Sequence, residues 1–256
     1  GGALMLIQQT IERLHEMRLK GMAQALVAQS QQPDVLALSF EERLSLLVDQ
    51  EWTYRRDRRL RRLLKEAKLR LPACIEDIDY RHPRGLDRAV IRSLANCEWI
   101  ASHQNVLITG PTGVGKTFIA CALANAACRH GFSARYYRVP RLLSELAMAK
   151  GDGSYPRLMN KLAKTHLLVL DDWGLAPLSA ADARDVLEII DDRSQTRSTI
   201  IASQLPIDHW HATIADPSVA DALLDRLIHN AHKLVLKGES MRKVTNNSQQ
   251  PSRSEA

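Results

Sequence analysis

Residues 110–117 read Gly-Pro-Thr-Gly-Val-Gly-Lys-Thr, a complete G-x-x-x-x-G-K-T phosphate-binding loop. The apolar run at 105–109 that precedes the loop favours a buried strand, and the Ala-rich stretch at 117–128 that follows it favours a helix. A strand, a glycine-rich loop and a helix in this order are the setting that the motif requires. The sequence therefore predicts a nucleotide-binding site in this loop.

Each residue type in the loop has a physical reason to be there. Glycines let the backbone turn tightly and approach phosphates closely, and the loop N–H groups and the helix N-terminus attract an anion. Lys116 is predicted to bind the β- and γ-phosphates of the nucleotide, and the Thr117 hydroxyl to help hold Mg²⁺. The whole loop is expected to line the nucleotide: Gly110, Pro111, Thr112, Gly113, Val114, Gly115, Lys116 and Thr117.

The charge, the cysteines and the apolar runs of the sequence indicate what kind of protein this is. The 256 residues are 45% hydrophobic and carry a formal net charge of +6, which favours an anionic partner. The four cysteines form no C-x-x-C pair and are typical of reduced cytosolic thiols. No apolar run is long enough to span a membrane, and together with the reduced thiols this favours a cytoplasmic protein. Residues 1–4, which precede Met5, are interpreted as a cloning remnant.

The N-terminal part, residues 5–72, is predicted to be a small helical domain for DNA binding or oligomerisation. Apolar residues at helical spacing indicate one or two helices over 5–31, with Gly21 as a break and Pro33 as a stop. Ser39 and Glu42 form a capping-box pattern that opens a third helix, which is expected to run to about Leu69.

The second half of that third helix is strongly basic. Residues 55–70 hold nine basic and two acidic side chains, so this segment alone exceeds the net charge of the chain. Its apolar residues fall on one stripe, which leaves a basic surface. We expect contacts with the phosphates of DNA, with a solvated face or an acidic neighbouring subunit as alternatives. The candidate DNA contacts are Arg55, Arg58, Arg59 and Arg62.

Strand-like and helix-like segments alternate over residues 73–245, which predicts an α/β domain with a parallel sheet covered by helices on both faces. Residues 166–172 read His-Leu-Leu-Val-Leu-Asp-Asp, so two acids emerge at the carboxyl end of a buried strand. Ligands bind at that end in such sheets. Asp171 suits a Mg²⁺-linked role, and Asp172 could orient or deprotonate the attacking water.

A later strand, residues 198–203, also ends in polar side chains. Ser203 or Gln204 could contact the γ-phosphate or the water, or simply end the strand. Residues 246–256 are polar without periodicity and are expected to be a disordered tail.

Taken together, the motifs resemble those of AAA+ ATPases of the DnaA/DnaC clade, and most of all the IstB-like transposition helper ATPases of insertion sequences. They read, in order, G-P-T-G-V-G-K-T, L-V-L-D-D-W-G, T-I-I-A-S-Q-L-P, D-R-L and G-E-S-M-R. The segment at 14–22, Leu-His-Glu-Met-Arg-Leu-Lys-Gly-Met, and the Arg-rich helix add to the resemblance, which covers roughly residues 5–246.

The resemblance implies further roles. Lys116 and Thr117 fall on Walker A, and Asp171 and Asp172 on Walker B. Gln204, or its neighbour Ser203, falls on sensor 1, where the clade more usually has Asn. Arg226 falls on the arginine finger, which acts on the ATP of an adjacent protomer, and Arg242 falls on sensor 2.

The resemblance also implies an ATPase that forms a ring or helical oligomer on duplex DNA with ATP and assists an IstA-type transposase. A DnaC-like replicative helicase loader, which would prefer single-stranded DNA, is the main alternative. A small-molecule P-loop kinase is disfavoured by the acidic pair and the later arginine motifs, and a GTPase by the absence of N-K-x-D. A DNA-binding scaffold that keeps ATP without hydrolysing it is disfavoured by intact Lys116, Asp171 and Asp172.

Overall fold

The computed structural model describes residues 2–241, without the side chains of residues 2–4 and Leu36. The chain divides into two compact units, the first ending at Arg62 and the second beginning at Leu63. The division falls inside a continuous helix, and the sequence-based domain boundary at residues 72–73 lies a few residues after that helix ends. The assignment of functions to the domains stays a prediction, and Arg242 and the expected tail lie outside the described residues.

The first unit is built from helices. Three helices are followed by a long one that continues into the second unit: α1 (Gly2–Glu16), α2 (Lys20–Gln31), α3 (Pro33–Leu36) and α4 (Phe40–Ala67). The predicted capping box is present, since Ser39 N–H donates to Glu42 Oε2 at 2.8 Å and Glu42 N–H donates to Ser39 Oγ at 3.2 Å. Pro33 separates α2 from α3, where it occupies the first turn, as proline does without losing a hydrogen bond.

The prediction that Gly21 breaks the first helical run is wrong. The break lies at residues 17–19, where Arg18 adopts a positive φ of 61°. Gly21 lies inside α2, and a Cβ there would come within 2.7 Å of Glu51 Cα and 2.8 Å of Tyr54 Cβ on α4. Gly21 therefore allows two helices to approach closely, a role that local sequence does not reveal.

The second unit contains the sheet. Five parallel strands lie in the order β2-β3-β4-β1-β5: β1 (Asn105–Thr109), β2 (Ala134–Arg138), β3 (Leu167–Trp173), β4 (Ser198–Ser203) and β5 (Ala231–Val235). Strands β1, β3 and β4 are almost entirely buried, as expected for a parallel sheet with both faces covered. The predicted fold class is confirmed.

Helices connect and cover the strands of this unit. They are α5 (Arg88–Ala95), α6 (Glu98–Ala101), α7 (Lys116–Arg129), α8 (Val139–Asp152), α9 (Tyr155–Lys164), α10 (Ala180–Arg193) and α11 (Pro217–Ile228), with short 3₁₀ turns at Ile75–Asp77, Ile207–His209 and His211–Thr213.

Left-handed residues mark the limits of two helices in this unit. Cys97, with φ 60°, separates α5 from α6. Helix α8 continues to Asp152 and ends at Gly153, whose φ of 79° suits glycine.

Strand order decides which polar side chains can meet. β4 lies between β1, which precedes the phosphate-binding loop, and β3, which carries the two aspartates. Because all the strands are parallel, their carboxyl ends share one edge of the sheet. The fold thus brings the segments after Thr109, Leu170 and Ser203 to the same edge.

Candidate nucleotide-binding site

The phosphate-binding loop links the end of β1 to the start of α7. Gly115 is the N-cap of α7 with a left-handed φ of 97°. A Cβ on Gly110, which has φ 151°, would lie 2.5 Å from the carbonyl oxygen of Leu236. The loop conformation therefore requires glycine at both positions, and it leaves the first N–H groups of α7 available to an anion.

Lys116 occupies the first position of α7 and is buried, with 8% of its surface exposed. Its Nζ donates to the carbonyl oxygen of Pro111 at 2.7 Å, so the ammonium group lies within the loop. Burial lowers the pKa of Lys116, and the carboxylates of Asp171 and Asp172 oppose this shift. A buried ammonium group close to carboxylates and loop N–H groups is well placed to bind phosphate oxygens.

Thr117 and Asp171 lie side by side. The Thr117 hydroxyl donates to Asp171 Oδ2 at 2.6 Å, and the hydroxyl of Tyr136 donates to the same oxygen at 2.6 Å. The other oxygen of Asp171 accepts the N–H of Asp172 at 2.8 Å. Asp171 is 2% exposed, so its carboxylate is held in one orientation by three hydrogen bonds.

The donor set of these residues fits Mg²⁺. A carboxylate and a hydroxyl are hard oxygen donors, and Mg²⁺ at phosphate sites takes one or two carboxylates together with phosphate oxygens and water. Within residues 2–241 no cluster of three or more His, Cys, Asp or Glu side chains could hold a metal by itself. Thr117 and Asp171 are thus the residues that would hold Mg²⁺ beside a bound triphosphate.

Asp171 and Asp172 both line one cavity, although neighbouring side chains on a regular strand point to opposite faces. The pairing of β3 with β4 shifts register between Leu170 and Trp173, and Asp172 has a φ of 60°. Such an irregularity re-aims a side chain. The bulge therefore turns Asp172 to the side of the strand on which Asp171 lies.

The two candidates at the end of β4 differ in what their side chains do. Ser203 is buried, its hydroxyl donates to the Trp173 carbonyl at 2.7 Å, and its Oγ accepts the Leu205 N–H at 3.1 Å. Both bonds are internal, so the structure gives Ser203 a structural role. Gln204 is exposed and lines the cavity between the loop and β3. Of the two, Gln204 stays the candidate for a contact with a γ-phosphate or a water.

These side chains enclose a cavity of about 230 Å³ at the carboxyl edge of the sheet. Its lining brings together the predicted residues Thr112, Gly113, Lys116, Thr117, Asp171, Asp172 and Gln204, together with Arg70, Arg138, Leu175 and Ala202. Arg138 Nε donates to Asp172 Oδ2 at 2.5 Å, and this bond raises the pKa of Arg138.

Sequence reasoning missed three side chains of this site. Arg70 was counted as part of the basic helix, but α4 ends at Ala67 and Arg70 lines the cavity. Arg138 and Tyr136 lie on β2, and Arg138 ends that strand at the ligand-binding edge of the sheet. The polar residue at a strand end was an available signal for Arg138, whereas Tyr136 could be found only through its contact with Asp171.

Arg226 lies at the opposite edge of the sheet. The Asn105 amide, at the start of β1, donates to the carbonyl oxygen of Arg226 at 3.4 Å. The Arg226 guanidinium donates to Asp191 Oδ1 at 2.5 Å and to the Ala222 carbonyl at 2.9 Å. It borders a separate polar cavity of about 730 Å³. The structure thus does not bring Arg226 to the phosphate-binding loop of its own chain.

Arg242 lies outside the described residues, and its sensor 2 role stays a prediction. The residue before it, Met241, donates its N–H to the carbonyl oxygen of Gly113 at 2.9 Å. The C-terminal segment thus reaches the phosphate-binding loop one residue before Arg242.

The candidate DNA contacts all lie on α4 and are exposed: Arg55, Arg58, Arg59 and Arg62. Arg55 donates to Glu51 at 2.7 Å, and the Arg56 guanidinium lies 4.8 Å from the centre of the Trp52 ring. The predicted apolar stripe is also present, since Leu63 and Ala67 are buried. The role of the four arginines in binding DNA stays a prediction.

A five-stranded parallel sheet with a glycine-rich phosphate loop after β1 and an acidic pair on β3 defines a P-loop protein of the AAA+ type. Solved structures support this fold. An AMPPCP-bound DnaA from Aquifex aeolicus has a TM-score of 0.57 at 18% identity, covering 73% of this chain and 58% of that chain. The DnaC helicase loader has a TM-score of 0.56 at 21% identity, covering 67% of this chain and all of that chain.

The particular family follows from sequence comparison. The model of the IstB-like ATP binding protein family matches residues 12–249, and the chain belongs to this family. It is 50% identical over 239 residues to an insertion sequence ATP-binding protein, y4pL, of Sinorhizobium fredii, covering 93% of this chain and 98% of the relative. It is 54% identical over 203 residues to the IS1162 ATP-binding protein of Pseudomonas fluorescens, covering 79% and 88%.

These findings confirm the resemblance inferred from the motifs. They also support ATP as the nucleotide. Within residues 2–241, none of the helices has the length and apolar character needed to cross a lipid bilayer.

Proposed function

We propose that this protein is an ATP-dependent regulator of transposition that hydrolyses ATP, assembles on duplex DNA and assists an IstA-type transposase. The observation that carries the proposal is the division of the site between two edges of the sheet. The phosphate cavity lies at the carboxyl edge, and Arg226 lies at the amino edge. An ATP site completed by Arg226 requires a second copy of the chain.

Strand geometry supports the need for a second copy. The five residues of β1 span about 13 Å between the two edges, at roughly 3.3 Å per residue. Arg226 is held at its own edge by Asp191 and by the Ala222 carbonyl. On a neighbouring protomer, the same guanidinium would stabilise negative charge on the transferred phosphoryl group, the role of an arginine finger. Repetition of this contact generates a ring or a helical array.

The proposed hydrolysis uses residues that line the cavity. Lys116 and the loop N–H groups bind the β- and γ-phosphates, and Gln204 orients a water beside the γ-phosphate. Asp172 accepts the proton of that water as it attacks the phosphorus, and the ADP oxygen leaves on the opposite side. Mg²⁺, held by Thr117 and Asp171, would neutralise charge on the phosphate oxygens.

Binding of duplex DNA is proposed from the charge of α4. Four exposed arginines on one helix can neutralise phosphates, and each neutralised phosphate adds to the salt dependence of affinity. In an array of subunits these contacts repeat along the DNA, which could offset the energy of bending it, on the order of 1–6 kcal/mol for a short site. Replacing Arg58, Arg59 and Arg62 with Glu should weaken DNA binding and make the DNA affinity depend less steeply on salt concentration. An unchanged salt dependence would show that this helix does not contact DNA.

The transposase partner is proposed from the relatives, whose names place them in insertion sequences. An ATPase encoded there has the transposase as its natural partner, and the bacterial cytoplasm as its place of action. A DnaC-like helicase loader remains the alternative function, because the fold is similar to that of DnaC. It ranks second because this similarity extends to the fold alone.

Size-resolved DNA binding tests the proposal. The protein is mixed with duplex or single-stranded DNA of equal length, with ATP, ADP or no nucleotide, and the mass of the complexes is measured by light scattering. We expect large assemblies on duplex DNA that need ATP and that are lost in Lys116→Ala. Small complexes with a preference for single strands would favour the helicase loader, and assembly that survives Lys116→Ala would contradict the dependence on ATP.

A further inference from the structure

Arg70 follows the end of α4 and is therefore not part of the basic face of that helix. Helix α4 ends at Ala67, and Lys68 then adopts a left-handed conformation with φ 50°. The Arg135 guanidinium donates to the carbonyl oxygen of Glu66 at 2.9 Å, which satisfies one of the carbonyls left free at a helix end. The chain therefore leaves the helix in a defined direction, three residues before Arg70.

The position of Arg70 is beside the nucleotide site. It lines the phosphate cavity together with Lys116 and Asp171. It also lies near the thiol of Cys121, one helical turn after Thr117 on α7, and near the hydroxyl of Tyr136, which donates to Asp171. Arg70 is thus close to the helix that begins with Lys116 and to the tyrosine that holds Asp171.

Arg70 adds positive charge to a cavity that would hold a negatively charged triphosphate. Its lining contains three cations, Arg70, Lys116 and Arg138, and two carboxylates, Asp171 and Asp172. Arg138 is already paired with Asp172, whereas Arg70 lies near the neutral hydroxyl of Tyr136. A triphosphate remains negative even with one Mg²⁺, and an arginine fork binds phosphate oxygens in a bidentate manner.

We propose that Arg70 binds the terminal phosphate of ATP from within the same chain, as a cation in addition to Lys116. This inference rests on the ATP site of the proposed function. It distinguishes Arg70 from Arg226, which reaches a nucleotide only across a subunit contact. A group that touches the γ-phosphate contributes to binding of ATP and makes no contact with ADP.

The test is the ratio of two affinities, measured without Mg²⁺ and without DNA. A fluorescent, non-hydrolysable ATP analogue and the matching ADP are titrated into wild-type protein, Arg70→Ala, Lys65→Ala and Lys116→Ala. Loss of a hydrogen bond between charged groups should weaken binding of the ATP analogue by about ten- to a hundredfold in Arg70→Ala, and binding of ADP by less than about twofold. Lys65→Ala removes an exposed charge that lies outside the cavity lining and should change neither affinity.

Further variants separate binding from structure. Arg70→Gln keeps a hydrogen-bonding side chain but loses the charge, so it should also lose the preference for the ATP analogue, even where Arg70→Ala fails to fold. Equal losses for both nucleotides, or no loss, in Arg70→Gln would overturn the proposal. Lys116→Ala should weaken both nucleotides, and its failure to do so would count against the ATP site itself. If the Arg70 variants lose affinity for the ATP analogue as expected but the wild-type protein does not assemble on DNA, only the proposed function would be contradicted.

Discussion

The Asp172 carboxylate is held by the Arg138 guanidinium, with 2.5 Å between Oδ2 of the former and Nε of the latter. The two residues lie at the ends of neighbouring strands, β3 and β2, and both line the phosphate cavity. If Asp172 is the base of the reaction, this ion pair occupies the oxygen that would take the proton. While this ion pair is formed, that oxygen is not available to the water.

Arg138→Ala should therefore raise the rate of ATP hydrolysis measured without DNA. Because the proton acceptor is released from an ion pair, an increase of about three- to tenfold is expected. A phosphate-release assay checks this, with Arg141→Ala as the control, since Arg141 is an exposed arginine on α8 that lies outside the cavity lining. A lower rate in Arg138→Ala would instead give Arg138 a direct role on the phosphates.

Thr117→Ala should raise the Mg²⁺ concentration that gives half-maximal hydrolysis. The variant removes one oxygen donor and one of the hydrogen bonds that orient Asp171, and such changes cost about 10–100-fold in metal affinity. Thr117→Ser keeps the hydroxyl and should remain close to wild type. Nucleotide binding without Mg²⁺ serves as the control and should change little. An unaltered Mg²⁺ requirement in Thr117→Ala would exclude Thr117 as a ligand.

Gly21→Ala should destabilise the first unit, although alanine usually favours a helix. The added Cβ would lie 2.7 Å from a backbone atom of Glu51, and overpacking of this kind costs about 1–3 kcal/mol. Gly151→Ala is the matched control, because Gly151 also lies in a helix and has nothing within 4 Å of an added Cβ. Denaturation followed by circular dichroism should show a loss of stability in the first variant only. Equal stability of the two variants would contradict the close helix contact.

Local patterns were sufficient to predict the strands, the loop and the helix that carry the candidate nucleotide site. Residues 110–117 and the run ending in Asp171 and Asp172 each carry their own strand and turn signals, so their positions followed without knowledge of distant contacts. The strand order then placed Gln204 between them, at the end of β4.

Contacts between residues far apart in the chain were not predictable from a single sequence. Arg138 pairs with an acid 34 positions away, and Gly21 packs against residues of α4 that lie about thirty positions later. Ser203 looked equivalent to Gln204 until its hydroxyl was found bonded to Trp173. In each case the role of the residue depends on tertiary packing, which composition and periodicity do not encode.

A mixing experiment tests the central claim, a nucleotide site shared between neighbouring chains. Lys116→Ala should lose ATP binding, and Arg226→Ala should bind ATP yet fail to hydrolyse it, so each variant alone should be inactive in the presence of duplex DNA. In a mixture, Lys116 of one chain and Arg226 of its neighbour form complete sites, and we predict that phosphate release returns to a measurable fraction of the wild-type rate. A mixture as inactive as its components, although both variants enter the same assemblies, would contradict the shared site.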